Sequence, residues 1–215
     1  MSNKKVTVID LGIGNIFSIV SALKYCGSEV VVTSNSKIVE NSSLIIMPGD
    51  GAFKYAMTEV KKRGLLEVLK NINKTKKKLL GICIGMQILF DYGLEHGKSD
   101  GLGLISGSVV PIPNRSTKGS KVVIPHIGWN SLVLSNYSNS WEGTLLKNNN
   151  PSDEVYFIHS FMATPSNNNN RIADCIYGGH RIAAVVKNGN IVGCQFHPEK
   201  SGKLGLKILK EFIKQ

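Results

Sequence analysis

One stretch narrows the possible folds more than any other: Lys78-Leu79-Leu80 running into Gly81-Ile82-Cys83-Ile84-Gly85-Met86-Gln87. A short apolar run after a cluster of lysines reads as a buried strand, and Met86 to Phe90 can continue as a helix. A strand, a Gly-X-Cys-X-Gly turn and a helix make the cysteine counterpart of the nucleophile elbow. The glycines permit a turn too tight for a Cβ and leave room for a substrate carbonyl. The strand end lifts the sulfur from the core, and a helix N-terminus favours its thiolate form. The competing reading is a structural cysteine in an apolar run, since free cysteines are usually buried. The rest of the chain has to supply partners before the elbow means catalysis.

Upstream, short apolar runs alternate with helical patterns. Val6-Thr7-Val8-Ile9, Val30-Val31-Val32 and Leu44-Ile45-Ile46-Met47 read as buried strands. Ile16, Ile19, Val20 and Leu23 recur at helical spacing from Ile16 to Tyr25, with Gly27 as a stop. A second helical pattern runs from Phe53 to about Leu69, with a break at Gly64. Such alternation implies an open, mostly parallel sheet flanked by helices. The second half changes character, with short strand candidates spaced by Gly, Asn and Pro. They are Leu104–Ile112, Lys121–Ile124, Ser131–Leu134, Val155–Ile158, Ile172–Tyr177, Ile182–Val186 and Ile191–Phe196. Antiparallel additions are therefore expected in the C-terminal half. Lys203–Lys214 closes the chain as an amphipathic helix. The expected class is an α/β fold in one domain over residues 1–215.

Composition excludes several functions. No run reaches the roughly 18 apolar residues of a membrane span, and the N-terminal apolar run is too short for a signal peptide. A cytosolic protein with reduced cysteines is expected, and the four Cys lack the C-x-x-C spacing of zinc or dithiol sites. A net charge of +11 raises the question of nucleic acid. Its clusters, Lys61-Lys62-Arg63 and Lys74 with Lys76-Lys77-Lys78, sit at expected helix ends and carry no interleaved aromatics for stacking on bases. A solvated face is the preferred reading. Gly12 and Gly14 follow a strand, but Phe17 stands where a dinucleotide loop needs its third glycine, and no phosphate loop occurs. No cofactor or metal is called for.

A nucleophilic cysteine needs a base, and the base an orienting group. Of the five histidines, only His197 ends a strongly apolar strand and has a nearby carboxylate, Glu199. Residues two apart in extended chain point the same way, and Pro198 favours that conformation at His197. Sites in open α/β sheets gather at the carboxyl ends of strands, where both Cys83 and His197 fall. His159 is the competing candidate for an assisting role. His126 reads as structural or interfacial, and His96 and His180 as loop residues. Pro48-Gly49-Asp50-Gly51, at another strand end, could turn backbone amides toward an oxyanion, with the amide of Ile84 as the second donor.

Together, Gly81–Gln87 and Gln195-Phe196-His197-Pro198-Glu199-Lys200-Ser201 resemble the paired signatures of class I glutamine amidotransferases. Three more stretches resemble the branch serving imidazole glycerol phosphate synthase. They are Asp10-Leu11-Gly12-Ile13-Gly14-Asn15, Pro125-His126-Ile127-Gly128-Trp129-Asn130 and Tyr156-Phe157-Ile158-His159-Ser160. The resemblance implies that Cys83 attacks the glutamine carboxamide, that His197 moves the proton, and that Glu199 orients His197. Gln87 and the backbone of Gly49, Asp50 and Gly51 would line the glutamine pocket. It also implies a (β/α)8-barrel cyclase partner in a heterodimer that receives the ammonia, with Asn15, Trp129 and Lys200 near it. Neither nucleic acid nor membrane enters this picture.

The sequence departs from the family's usual Pro-Gly-Val-Gly loop by placing Asp50 at the valine. An outward Asp50 would cost little, whereas an inward carboxylate would oppose both thiolate and oxyanion. Reduced or partner-dependent activity is the expectation. Two alternatives stay open at this point: a paralogous glutaminase feeding an N-acetyl sugar amidotransferase, and a non-catalytic basic binding protein that retains the elbow.

Overall fold

The computed structural model describes residues 4–214, so the terminal residues of the N-terminal reading (positions 1–3) lie outside it. In chain order the first half holds β1 (Lys5–Ile9), α1 (Ile16–Tyr25), β2 (Glu29–Thr33), α2 (Ser36–Glu40) and β3 (Leu44–Met47). Next come α3 (Phe53–Lys62), α4 (Leu66–Lys70), β4 (Lys78–Ile82) and α5 (Ile84–Gln87). The second half begins with β5 (Phe90–Gly93), β6 (Ser99–Asp100), β7 (Ile105–Pro111), β8 (His126–Ser131) and β9 (Val133–Leu134). It ends with β10 (Glu154–His159), β11 (Phe161–Pro165), β12 (Arg171–Tyr177), β13 (His180–Asn188), β14 (Ile191–Cys194) and α6 (Gly202–Lys214).

The main sheet has eight strands in the order β2-β1-β3-β4-β14-β13-β12-β9. Its first five strands are mutually parallel, and β13, β12 and β9 add on antiparallel. This is the expected α/β class. The central strands read as unbroken apolar runs because both faces are covered. Val6, Val8, Leu80 and Ile82 face a core shared with Ile19 and Leu23 of α1 and Ile208, Leu209 and Phe212 of α6. Ile9, Ile45, Met47 and Leu79 face the opposite core with Met57 and Val60 of α3 and Leu69 of α4. The helix expected to break at Gly64 does so: Arg63 caps α3 and Gly64 takes φ 66°.

Several expectations fail locally. The helix after Cys83 stops at Gln87, because the carbonyls of Ile88, Leu89 and Phe90 accept hydrogen bonds from Leu102, Leu104 and Gly103 instead. That long-range pairing pulls Phe90 into β5, part of a four-stranded sheet ordered β11-β7-β5-β6. Lys121–Ile124 is no strand, only Lys121 bridging Arg115. Ser131–Leu134 divides between β8 and β9. His180 opens β13 and contacts the carbonyl of Arg115 at 2.7 Å, so it is no loop residue. Of the basic clusters, Lys61 and Lys62 do close α3, and Lys62 and Arg63 pair with Glu59.

Candidate active site

Register places the site. β4 and β14 run parallel with Ile82 opposite Cys194, and the Cys83 amide donates to the Cys194 carbonyl at 2.9 Å. Cys83 and His197 therefore leave the sheet side by side at the carboxyl ends of adjacent strands. On the other flank Met47 lies opposite Gly81, which brings Gly49–Gly51 alongside the elbow.

The elbow is as tight as its glycines require. Cys83 takes φ 54°, a region that residues with a Cβ rarely adopt. A Cβ on Gly85 would stand 1.8 Å from the Met47 carbonyl oxygen, and one on Gly81 would stand 2.5 Å from the Gly85 oxygen. The turn thus closes directly on the end of β3. Because α5 has only four residues, it supplies a free-ended first turn and little macrodipole to the sulfur.

His197 is buried, and its Nδ1 lies 2.7 Å from Oε1 of the buried Glu199 carboxylate. The expected contact forms by another route: Pro198–Lys200 winds into a 3-10 turn, which curls Glu199 back to the ring. With Nδ1–H donating to Glu199, Nε2 points away from it and has no hydrogen-bond partner. Burial alone would lower the His197 pKa, but the facing Cys83 sulfur and Glu199 carboxylate outweigh it and raise the pKa. The arrangement favours imidazolium when the sulfur is a thiolate.

Asp50 turns inward. Its Oδ1 lies 3.7 Å from His197 Nε2, although 43% of the side chain remains exposed. An Asp50 oxygen, Cys83 Sγ and a His197 ring nitrogen all lie within 4.8 Å of one another. Gly51 adopts φ 95° and lines a cavity of about 330 Å³ together with Asp50, Cys83, Ile84 and Gln87. A larger cavity, about 740 Å³, opens at the other end of the sheet among Lys4, Lys5, Lys37 and Lys76, far from any nucleophile–base pair.

Gln87 serves the sulfur indirectly. Its Nε2 donates to Gln195 Oε1 at 3.0 Å and to the Phe161 carbonyl at 3.3 Å. The orientation leaves Gln195 Nε2 to face Cys83 Sγ at 3.8 Å. Gln195, fully buried, opens the second signature two residues before His197, yet the sequence assigned it no role of its own. Glu95 was not singled out in the sequence at all. It lines the same cavity and fixes the start of α3 by accepting from the Phe53 amide at 2.7 Å.

His159 has no nitrogen to spare for an assisting role. Its Nδ1 bonds the Phe161 carbonyl at 2.8 Å and its Nε2 meets His126 Nδ1 at 2.9 Å. Asn130 Nδ2 lies 3.2 Å from His126 Nε2, so one tautomer of each ring satisfies the whole chain of bonds. Burial holds both histidines down to about 4, and both are neutral. His126 also stacks between Phe157 and Tyr177, a structural placement as expected. Asn15, Trp129 and Lys200 are all exposed; Asn15 caps α1 by accepting from Ser18, and Lys200 lines the cavity mouth.

Comparison with known proteins follows the same lines. The family model described as glutamine amidotransferase class-I matches residues 7–215. The chain is 42% identical to "Imidazole glycerol phosphate synthase subunit HisH 1" of Legionella pneumophila strain Lens, over 97% of this chain and 98% of that one. It is 41% identical to the HisH subunit of Lactococcus lactis, over 99% of both chains. A solved glutamine amidotransferase superposes with a TM-score of 0.70 at 19% identity, over 98% of this chain and 99% of the other. The Thermotoga maritima PurLQS structure gives 0.69 at 21%, over 99% and 98%. At those identities the two structures speak for the fold alone. No helix among the described residues is long and apolar enough to cross a membrane.

Proposed function

The chain belongs to the class-I glutamine amidotransferase family, and from that membership we propose that it is the glutaminase subunit of imidazole glycerol phosphate synthase. Residues 1–215 act as one glutamine amidotransferase domain in the cytoplasm, docked on a (β/α)8-barrel cyclase. The observation that carries the reading is the pairing of β4 with β14, which sets Cys83 beside a His197 already held by Glu199.

Glutamine enters the cavity with its carboxamide at Cys83. Its ammonium is matched by the carboxylate of Glu95, which lines the cavity, and its carboxylate by Lys200, which lines it too. Cys83 thiolate attacks the carboxamide carbon, and the oxyanion forms against the amide of Ile84 and the turned amides of Gly49–Gly51. His197 then gives its Nε2 proton to the departing nitrogen, so ammonia leaves and a glutamyl thioester remains. A water attacks the thioester after giving a proton back to the now neutral His197. Glutamate departs, and the thiolate–imidazolium pair is restored. Gln87 holds Gln195 against the sulfur through the first and last steps. Asn15, Trp129 and Lys200 lie on the partner-facing surface, and ammonia passes to the cyclase, where imidazole glycerol phosphate is closed for histidine synthesis.

Co-expression with the cyclase from the same source tests this. The complex should release one glutamate per imidazole glycerol phosphate formed with glutamine as nitrogen donor, and should restore growth to a histidine auxotroph lacking both subunits. A complex that forms but makes imidazole glycerol phosphate only from added ammonia would defeat the proposal.

A further inference from the structure

We propose that Asp50, Cys83 and His197 form a binding site for a thiophilic divalent cation of the zinc class, which blocks the nucleophile. The proposal stands on the donor geometry and does not depend on which carboxamide the dyad hydrolyses.

Three donors of the right kinds converge: one thiol, one imidazole and one carboxylate, within 4.8 Å of one another. Zinc takes such sets tetrahedrally, with metal–ligand bonds of about 2.0–2.3 Å that hold neighbouring donors roughly 3.3–3.6 Å apart. Asp50 and His197, at 3.7 Å, already approach that spacing. Asp50 is a half-exposed side chain with no other ion-pair partner among the described residues, so it can rotate to bring its carboxylate to the shared point.

His197 is prepared as a ligand. Nε2 is buried and without a hydrogen-bond partner, while Nδ1 is held at 2.7 Å by Glu199. A ligating histidine commonly donates its second N–H to a carboxylate, which fixes the ring and strengthens its lone pair. That contact serves acid–base chemistry equally well, so it is Asp50 that turns a dyad into three converging ligands.

Charge and proton balance agree. The resting pair of Cys83 and His197 holds one exchangeable proton between sulfur and Nε2. Binding releases that proton to solvent, leaving thiolate, neutral imidazole with its Nδ1–H on Glu199, and carboxylate around the ion. One thiolate and one carboxylate cancel the two positive charges of the ion, so the ligand set is neutral, and Glu199 keeps its charge at the outer face of His197. The fourth position opens on the cavity, where a water completes the tetrahedron. A thiolate in the set selects zinc-class ions over magnesium or calcium.

The test uses the isolated chain after chelator treatment. Zn²⁺ is titrated in competition with a chromophoric chelator, and Co²⁺ is titrated as a spectroscopic stand-in. One equivalent should bind, and Co²⁺ should give a thiolate-to-metal charge-transfer band that Cys83→Ser abolishes. Asp50→Val and Asp50→Asn should each weaken Zn²⁺ binding at least about tenfold, the loss produced by removing even an outer partner of a metal ligand. Asp50→Asn keeps the side-chain size, so it stands as the control should Asp50→Val fold poorly. Absence of the band in the unmodified chain overturns the proposal. So does equal Zn²⁺ affinity in the unmodified chain and a folded Asp50 variant, which would mean ordinary thiol binding only.

Discussion

Replacing Asp50 by valine should speed the glutaminase step. The carboxylate sits 3.7 Å from His197 Nε2 and within 4.8 Å of Cys83 Sγ. At 3.7 Å two unit charges interact by about 1 kcal/mol in water and about 4 kcal/mol at an effective dielectric of 20. Since 43% of the side chain is exposed, screening brings the effect toward the lower figure, about 1–2 kcal/mol. Its direction is fixed by where charge moves. Asp50 attracts the imidazolium proton that must reach the leaving nitrogen, and repels both the thiolate and the developing oxyanion. Removing it should raise kcat for glutamate release roughly 5- to 30-fold. The assay is glutamate production by the isolated chain and by the complex, run with chelator so that metal binding does not intervene. Asp50→Asn should recover most of the gain, because it removes the charge and keeps the size. Equal rates for Asp50→Val and the unmodified chain, both alone and with partner, would refute the reasoning.

Two further perturbations probe the scaffold. His126 and His159 are held neutral down to about 4 by burial, whereas in the unfolded chain they titrate near their usual value of 6.5. The unfolded chain therefore binds more protons in this window, so their contribution is intact above about pH 6.5 and is lost as pH falls toward 4. At pH 5 the loss is about 2 kcal/mol for each ring, to be read from urea midpoints; a flat midpoint between pH 7 and pH 5 would contradict it. Gly85→Ala places a Cβ 1.8 Å from the Met47 oxygen, a backbone atom that cannot rotate away. Overpacking of this kind costs about 3 kcal/mol, a drop in Tm of roughly 6–12 °C, and unchanged thermal unfolding would disprove so close an approach.

The parallel half of the sheet was legible because its physics is local. Val6–Ile9 and Leu44–Met47 are covered on both faces, and such strands announce themselves as continuous apolar runs. The edge strand Val30–Val32 shows the same run although it is only partly covered. The dyad was legible as well, since both partners stand at strand ends in distinctive turns. What stayed hidden depends on distant pairing. Phe90 continues a helical pattern on paper, yet β7 and the 101–105 segment recruit it into a second sheet. β8 and β11 were missed because His126–Ser131 alternates poorly around Gly128, and Phe161–Pro165 ends in a proline. Gln195 looked like one more strand residue, and only the fold shows it beneath the sulfur. The orientation of Asp50 could not be read from four residues, because it depends on where β14 places His197.

The central claim is that Cys83, paired with His197, is the nucleophile that takes the glutamyl group. Its most direct test is labelling with an electrophilic glutamine analogue, such as a diazoketone, followed by peptide mass spectrometry. The account predicts one equivalent on Cys83, none on Cys26, Cys175 or Cys194, protection by glutamine, and loss of labelling in His197→Asn. Cys175 and Cys194 are buried thiols whose pKa burial pushes up, so they should stay inert. No adduct on Cys83 in the active complex, or an adduct that glutamine does not prevent, would contradict it.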